Sequence, residues 1–358
     1  SFFLCVQRKK EAKKEKLFAA KLRFAYEHNK IFSQKGRTMA SNQSKGFRTT
    51  IGGQALIEGI LMRGPEKQCI VVRGPEGLVI KEEALKLIRD RYPILGLPLV
   101  RGSVTFLDSM VKGVKALMFS ADYYPEEDVG EPSKFEKWLD EKLSNEAMEK
   151  LVIGFSVVMA VCFSIGLFML LPTFLASFVT KVTDSVLVRN LVDAVLRIAI
   201  FMTYLIAVSR MKDIRRTFSY HGAEHKTIFC YEKGLELTVE NVRVQPKHHP
   251  RCGTSFLLVV IIVAILVNTV IFALFPVENV FLRMLVQLCL LPLVVGITYE
   301  FNRYVGGHDN PVTNFLAKPG LWMQNFTTFE PDDSMIEVAI EAMKRVIPEE
   351  AGKDAWGR

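Results

Sequence analysis

The chain has 358 residues, is 49% hydrophobic and has a mean hydropathy of +0.20, too apolar for an ordinary soluble protein, with its apolar residues gathered in long runs. The formal charge of +8 does not point to a nucleic-acid partner: residues 1–38 carry eleven Lys or Arg and three Asp or Glu, a balance of +8, so the remainder sums to zero. The six cysteines form no Cys-x-x-Cys pair, which argues against a disulfide framework and a zinc ribbon and fits a reducing compartment.

Residues 1–50 read as a basic, disordered leader. Its first methionine is Met39, and the polar Ala40-Ser41-Asn42-Gln43-Ser44-Lys45 that follows resembles an ordinary N-terminus, so Met39 is expected to be the start and residues 1–38 an over-extended reading frame. The alternative is a basic amphipathic arm on anionic lipid; residues 1–6 are too short for a signal-peptide core.

Residues 51–92 predict a small β-containing cytosolic unit, with extended runs at 69–73 and 78–82 joined by the hairpin turn Gly74-Pro75-Glu76-Gly77. Glu58 stands in apolar surroundings, where it either turns into a site or pairs with Arg63. Residues 93–150 predict amphipathic and charged helices. Val104, Leu107, Val111, Val114 and Met118 recur at helical spacing, opposite Arg101, Asp108, Lys112 and Lys115. This helix, residues 100–118, is expected to pack on the chain's own bundle; a homodimer seam is the alternative. An acidic connector over 122–131 leads to a capping box, Ser133 with Glu136, that opens a charged helix towards Lys150.

Four spans follow, at residues 151–179, 187–209, 255–275 and 280–301, forming one transmembrane hairpin over 151–209 and another over 255–301. The segment between them, 210–254, holds nine Lys or Arg, the 276–279 turn none and the link between the first two spans only Lys181, which predicts that both termini and the large loop face the cytosol. Asp193 and Arg197 form an i, i+4 pair within the second span, read as a self-satisfied pair or as a transport path; Arg189 and Arg283 are expected to reach the outer surface.

The 210–254 loop contains His221-Gly222-Ala223-Glu224-His225. On a helix, the i, i+4 spacing puts both imidazoles on one face, as two ligands of one metal ion require, and Glu224 points nearly the same way, as a general base on water or as a ligand. A third ligand is needed. Glu300, a carboxylate at the cytosolic end of the fourth span, is the first choice, with an ion pair to Arg303 as its structural alternative; Cys252, His249 and His308 are the further candidates. In the final segment, 302–358, an acidic start at Pro331-Asp332-Asp333-Ser334 and an apolar stripe from Met335 to Val346 predict an amphipathic helix docked on the cytosolic side of the bundle.

Gly52-Gly53-Gln54-Ala55-Leu56-Ile57-Glu58-Gly59, residues 220–226, His249-Pro250-Arg251-Cys252-Gly253-Thr254-Ser255-Phe256, Tyr299-Glu300, Pro319-Gly320, Thr327-Thr328 and Glu330-Pro331 together resemble the YqhQ-like bacterial multi-pass membrane proteins. The resemblance covers about residues 50–347 and implies a metal-dependent enzyme in a bacterial cytoplasmic membrane, with no counterpart for residues 1–38. Phe329 occupies the place before Glu330-Pro331 where a basic residue is expected. The combined expectation is a mainly α membrane protein with four transmembrane helices, amphipathic helices and a small N-terminal β-containing unit. Its expected activity is that of a Zn²⁺-dependent hydrolase at the cytosolic interface, with His221, His225 and Glu300 as ligands, Glu224 as base, Glu58 and Arg303 as further polar candidates, and the lipid bilayer as partner. A membrane scaffold or assembly factor, and a transporter-like protein using Asp193 and Arg197, are the rivals.

Overall fold

The computed structural model describes residues 47–85, 92–123, 146–181 and 185–356. The leader, the acidic connector beyond Tyr123 and the Ser133/Glu136 capping box lie outside the described residues.

The N-terminal unit is a four-stranded antiparallel sheet in sequential order, β1 (Gly52–Leu56), β2 (Gly59–Arg63), β3 (Lys67–Gly74) and β4 (Gly77–Ala84). The predicted hairpin closes with Gly74 opposite Gly77, whose φ of 127° only glycine adopts freely. The central strands are covered on both faces, and their alternation assigns each side chain to one of them. Ile60, Met62, Cys69 and Val71 face one layer, while Leu61, Ile70 and Val72 face the other.

The second layer is α1 (Val100–Ala121), whose Ala116 and Phe119 pack on Leu61, Ile70 and Val72. The same helix lies along the fourth span, so its apolar stripe is divided between the sheet and the bundle. The first span comprises α2 (Glu146–Ile165), a π-helical turn at Gly166–Leu170 and α3 (Leu171–Ser177). Pro172 lacks an N–H and its ring crowds the preceding turn, which accounts for the widened helix just before it. Then come α4 (Val186–Val208), α5 (Lys212–Glu232), the short α6 (Val239–Arg243), α7 (Gly253–Leu274) and α8 (Val280–Gly307). Among the described residues, four helices are long and apolar enough to cross a membrane: Gly154–Ser177, Val188–Val208, Gly253–Leu274 and Val280–Gly307.

Within this bundle Asp193 and Arg197 do pair, at 3.1 Å, and Thr173 of α3 donates to Asp193 at 2.9 Å while lying 3.0 Å from Gln287 Oε1 of α8. The polar side chains of three helices are thus gathered inside the bundle, with Arg197 Nε and Gln287 Nε2 left without a hydrogen-bond partner. Arg189 and Arg283 do not reach outward as expected. Both are buried, and Arg283 donates to Asn190 Oδ1 at 2.5 Å with its guanidinium 4.1 Å from the centre of the Phe272 ring. A charged group inside apolar surroundings takes a polar partner from a neighbouring helix when one is in reach.

Two helices complete the fold, α9 (Pro311–Thr327) and α10 (Asp333–Val346). Helix α9 is not among the elements expected from the residue pattern. It runs back along α7, and Gly320 meets Ser255 so closely that an added Cβ would lie 2.6 Å from the serine Cβ. The amphipathic α10 forms as expected, but it docks elsewhere: Met335, Ile336, Val338, Ala339 and Met343 close over β2, β3 and α5, not over the spans. After α10 the chain returns to its own beginning, where Trp356 donates its N–H to the Arg48 carbonyl at 2.8 Å.

Candidate metal centre

The motif lies on α5, a helix of 21 residues in which every residue from Tyr220 to Ile228 is buried. Helices with one wet face cannot bury so long a run; this one is enclosed by the sheet and α10 on one side and by Cys252, ahead of α7, and the end of α9 on the other. Its position is fixed by Glu58, which turns out to pair with Arg216 and to accept from Tyr220 Oη at 3.1 Å, not to pair with Arg63. Glu58 holds φ at 49° in the two-residue β1–β2 turn, so the ion pair to α5 is made from a backbone conformation that costs a non-glycine residue about 1–2 kcal/mol.

His221 and His225 stand side by side as the spacing requires, with ring centres 4.3 Å apart. Each directs its Nδ1 away from the other: His221 Nδ1–H donates to the Thr327 carbonyl at 2.8 Å and His225 Nδ1–H to the Lys247 carbonyl at 2.5 Å. A carbonyl can only accept, so each Nδ1 carries its proton outward and both Nε2 atoms are turned inward, where a bound cation would displace the proton that His221 Nε2 shares with Cys252. This is the outer-shell arrangement that orients metal-binding histidines. The third donor is Cys252. Its Sγ lies 3.2 Å from His221 Nε2, and the donor atoms of His221, His225 and Cys252 all fall within 4.8 Å of one another.

Cys252 caps the N-terminus of α7, accepting the Thr254 N–H at 3.3 Å. Burial opposes ionisation of the thiol, but the neighbouring imidazoles of His221 and His225 outweigh it and hold Cys252 well below the usual thiol range; the positive end of the α7 dipole acts in the same sense. Burial likewise works against a charge on His221, and the Cys252 thiolate and Glu224 together raise it to about 9.

Glu224 does not join the three donors. Its Oε1 accepts the Gly53 N–H at 2.9 Å, a contact that requires glycine, since an added Cβ would sit 3.0 Å from the carboxyl carbon. Its Oε2 is buried with no hydrogen-bond partner, and burial pushes the carboxyl pKa up. An orphaned carboxylate oxygen beside two imidazoles and a thiolate is costly unless a water, a proton or a cation meets it.

Glu300 is not brought to the histidines. Arg101 of α1 holds it by two bonds, Nε to Oε1 at 2.7 Å and a second nitrogen to Oε2 at 2.5 Å, so its partner is neither a metal donor set nor Arg303. His249 faces Glu232 and Arg251, with its ring centre 5.5 Å from that of His225. His308 stacks on Tyr304, exposed, and bonds that residue's carbonyl. Cys252 was one of the sequence candidates; the carbonyls of Thr327 and Lys247 were not, because backbone groups leave no mark on composition or spacing.

A cleft of 1290 Å³ has Cys252 in its wall, while His221, Glu224 and His225 lie behind that wall. Its sides are α1, the first turns of α7 and the last turns of α8.

A family profile described as "Protein of unknown function (DUF1385)" matches residues 97–349. The chain is also similar to "Uncharacterized protein YqhQ" of Bacillus subtilis (strain 168), 34% identical over 305 residues that cover 84% of this chain and 93% of that protein. No solved structure matches significantly.

Proposed function

The chain belongs to the DUF1385 family of proteins of unknown function, and we propose that His221, His225 and Cys252 hold a divalent ion, Zn²⁺ by donor type, for hydrolysis at the membrane boundary. The observation that supports this reading is the tethering of both Nδ1 atoms to backbone carbonyls, which turns the two imidazoles and the Cys252 sulfur towards one another, with donor atoms within 4.8 Å. Two imidazoles and a thiolate suit zinc, and three protein ligands leave a position open to water or substrate. A zinc ion held there supplies Lewis acidity and acidifies the water that reaches it. Glu224, with its free and basic Oε2, takes the proton from the attacking water as the new bond to oxygen forms and returns it to the leaving group as the scissile bond breaks. The excess of Lys and Arg in 210–254 supports a cytosolic position for this site and for both termini, and the Bacillus relative supports a bacterial cytoplasmic membrane.

Metal analysis of the purified chain tests the reading. About one zinc per chain is expected, lost on His221→Ala/His225→Ala and retained in Glu224→Gln and Cys252→His; wild-type protein that takes up no zinc on reconstitution while keeping its helical content refutes it. The 3.2 Å contact between Cys252 and His221 also favours a second reading, a thiolate nucleophile with His221 as its proton partner. Cys252→His separates the two, since it preserves an ion and abolishes a nucleophile.

A further inference from the structure

We infer that the cleft leading to Cys252 takes a membrane lipid with a phosphate headgroup. The inference rests on the metal reading for the chemistry at Cys252, but not for the binding itself. At 1290 Å³ the cleft exceeds the roughly 300–1,000 Å³ typical of small-molecule sites. Its walls also divide by chemistry. Phe106, Met110, Val114 and Leu117 of α1 face it with Leu257 of α7, while Thr254, Asn302 and Arg303 line it near the ends of the spans. The polar residues lie where α7 begins, at Gly253, and α8 ends, at Gly307, the level at which a lipid carries its headgroup, and the apolar wall runs from Leu257 along α1.

The charges select the sign of the headgroup. Arg101, Arg251, Arg303 and Glu300 line the cleft as charged groups, beside the Cys252 thiolate, which the His221 imidazole offsets. Arg101 is committed to Glu300 and Arg251 to Glu232. Arg303 is exposed and makes no hydrogen bond or ion pair to a described residue. This guanidinium, whose charge reaches Glu300 but is bonded to no carboxylate, stands at the polar end of an apolar channel and fits the oxygens of a phosphate, which it can grip with two parallel bonds. A soluble phosphate ester would leave the apolar wall without an occupant: Met110 and Leu117 keep 39% and 40% of their surface and Leu257 keeps 44%.

Calorimetric titration of the full chain in a neutral detergent tests the inference, with dihexanoyl phosphatidic acid, dihexanoylglycerol and inorganic phosphate as probes. The phosphatidic acid is expected to bind at least about tenfold more tightly than either of the others, as one charge-assisted contact and one acyl contact each contribute a factor of that order. Arg303→Gln is expected to lower its affinity about tenfold, Arg303→Lys to restore part of it, and Met110→Trp to block it by filling the channel, with zinc content unchanged in all three. Equal affinity for dihexanoylglycerol, equal affinity for inorganic phosphate, or indifference to Arg303→Gln overturns the proposal, as does a stable dimer with Met110 and Leu117 shielded from the probes. Lipid binding through Arg303 in a chain that takes up no zinc leaves this inference standing and removes the metal reading. Zinc uptake without preference for the phosphatidic acid does the reverse.

Discussion

His249 is 4% exposed, set between the Phe229 ring and the Glu232 carboxylate, with its Nδ1 accepting the Arg251 N–H at 3.3 Å. Burial lowers its imidazole pKa; the Glu232 hydrogen bond opposes that shift, Arg251 and His225 add to it, and the outcome is about 4. The unfolded chain binds a proton at this residue below about pH 6.5, whereas the folded chain stays neutral until about pH 4. Between those values the unfolded state holds the extra proton, so stability rises with pH and is lost on acidification, by about 1.4 kcal/mol per pH unit at most. The midpoint of thermal unfolding in detergent, followed from pH 7 to pH 4.5, is expected to fall more steeply in the wild type than in His249→Asn. At this same scale the sequence was only partly legible. The two histidines and Glu224 announce themselves by spacing, whereas Glu300 and Cys252 are separated only by what faces them: Arg101, 199 positions away from the first, and His221, 31 positions from the second.

Helix α5 is held by close backbone approach as much as by side chains. Phe329 donates its N–H to the Phe218 carbonyl at 3.0 Å, and the Phe329 carbonyl rests against Gly222, where any Cβ would overlap it. Phe329 therefore contributes through its main chain and through the Arg215 guanidinium 4.9 Å from its ring centre, in place of the basic side chain expected there. Gly222→Ala is expected to destabilise the protein by about 1–3 kcal/mol and to lower zinc affinity, because the displaced segment carries the Thr327 carbonyl that orients His221. Gly296→Ala, which would overlap the Leu99 carbonyl where α1 crosses α8, carries a similar cost in thermal stability but is expected to leave zinc content intact. Periodicity made α1, α10 and the four spans readable. It could not reveal α9, because Pro319-Gly320 reads as a helix breaker and the close contact with Ser255 that needs Gly320 is a tertiary fact. For α10 the stripe showed that something covers it, and no sequence pattern distinguishes a sheet from a bundle as the cover.

On the scale of the whole molecule, the structure places a soluble-type core, the sheet with α5 and α10, at one end of the spans, joined to them by α1 and by ion pairs such as Arg48 with Asp309. The proposed orientation predicts that Asn279→Cys, in the tight turn between α7 and α8, is labelled by a membrane-impermeant maleimide in intact cells, while Glu349→Cys, beyond α10, reacts only after permeabilisation. The reverse pattern would invert the protein and turn its site outward. The sheet's order of assembly follows from where its cover comes from. Strands β1 to β4 leave the ribosome ahead of the described helices, but the 14-residue helix that closes over β2 and β3 is made only after the four described spans. During synthesis these strands must wait, half-clad and prone to sticking, until the four spans and then α10 have been made.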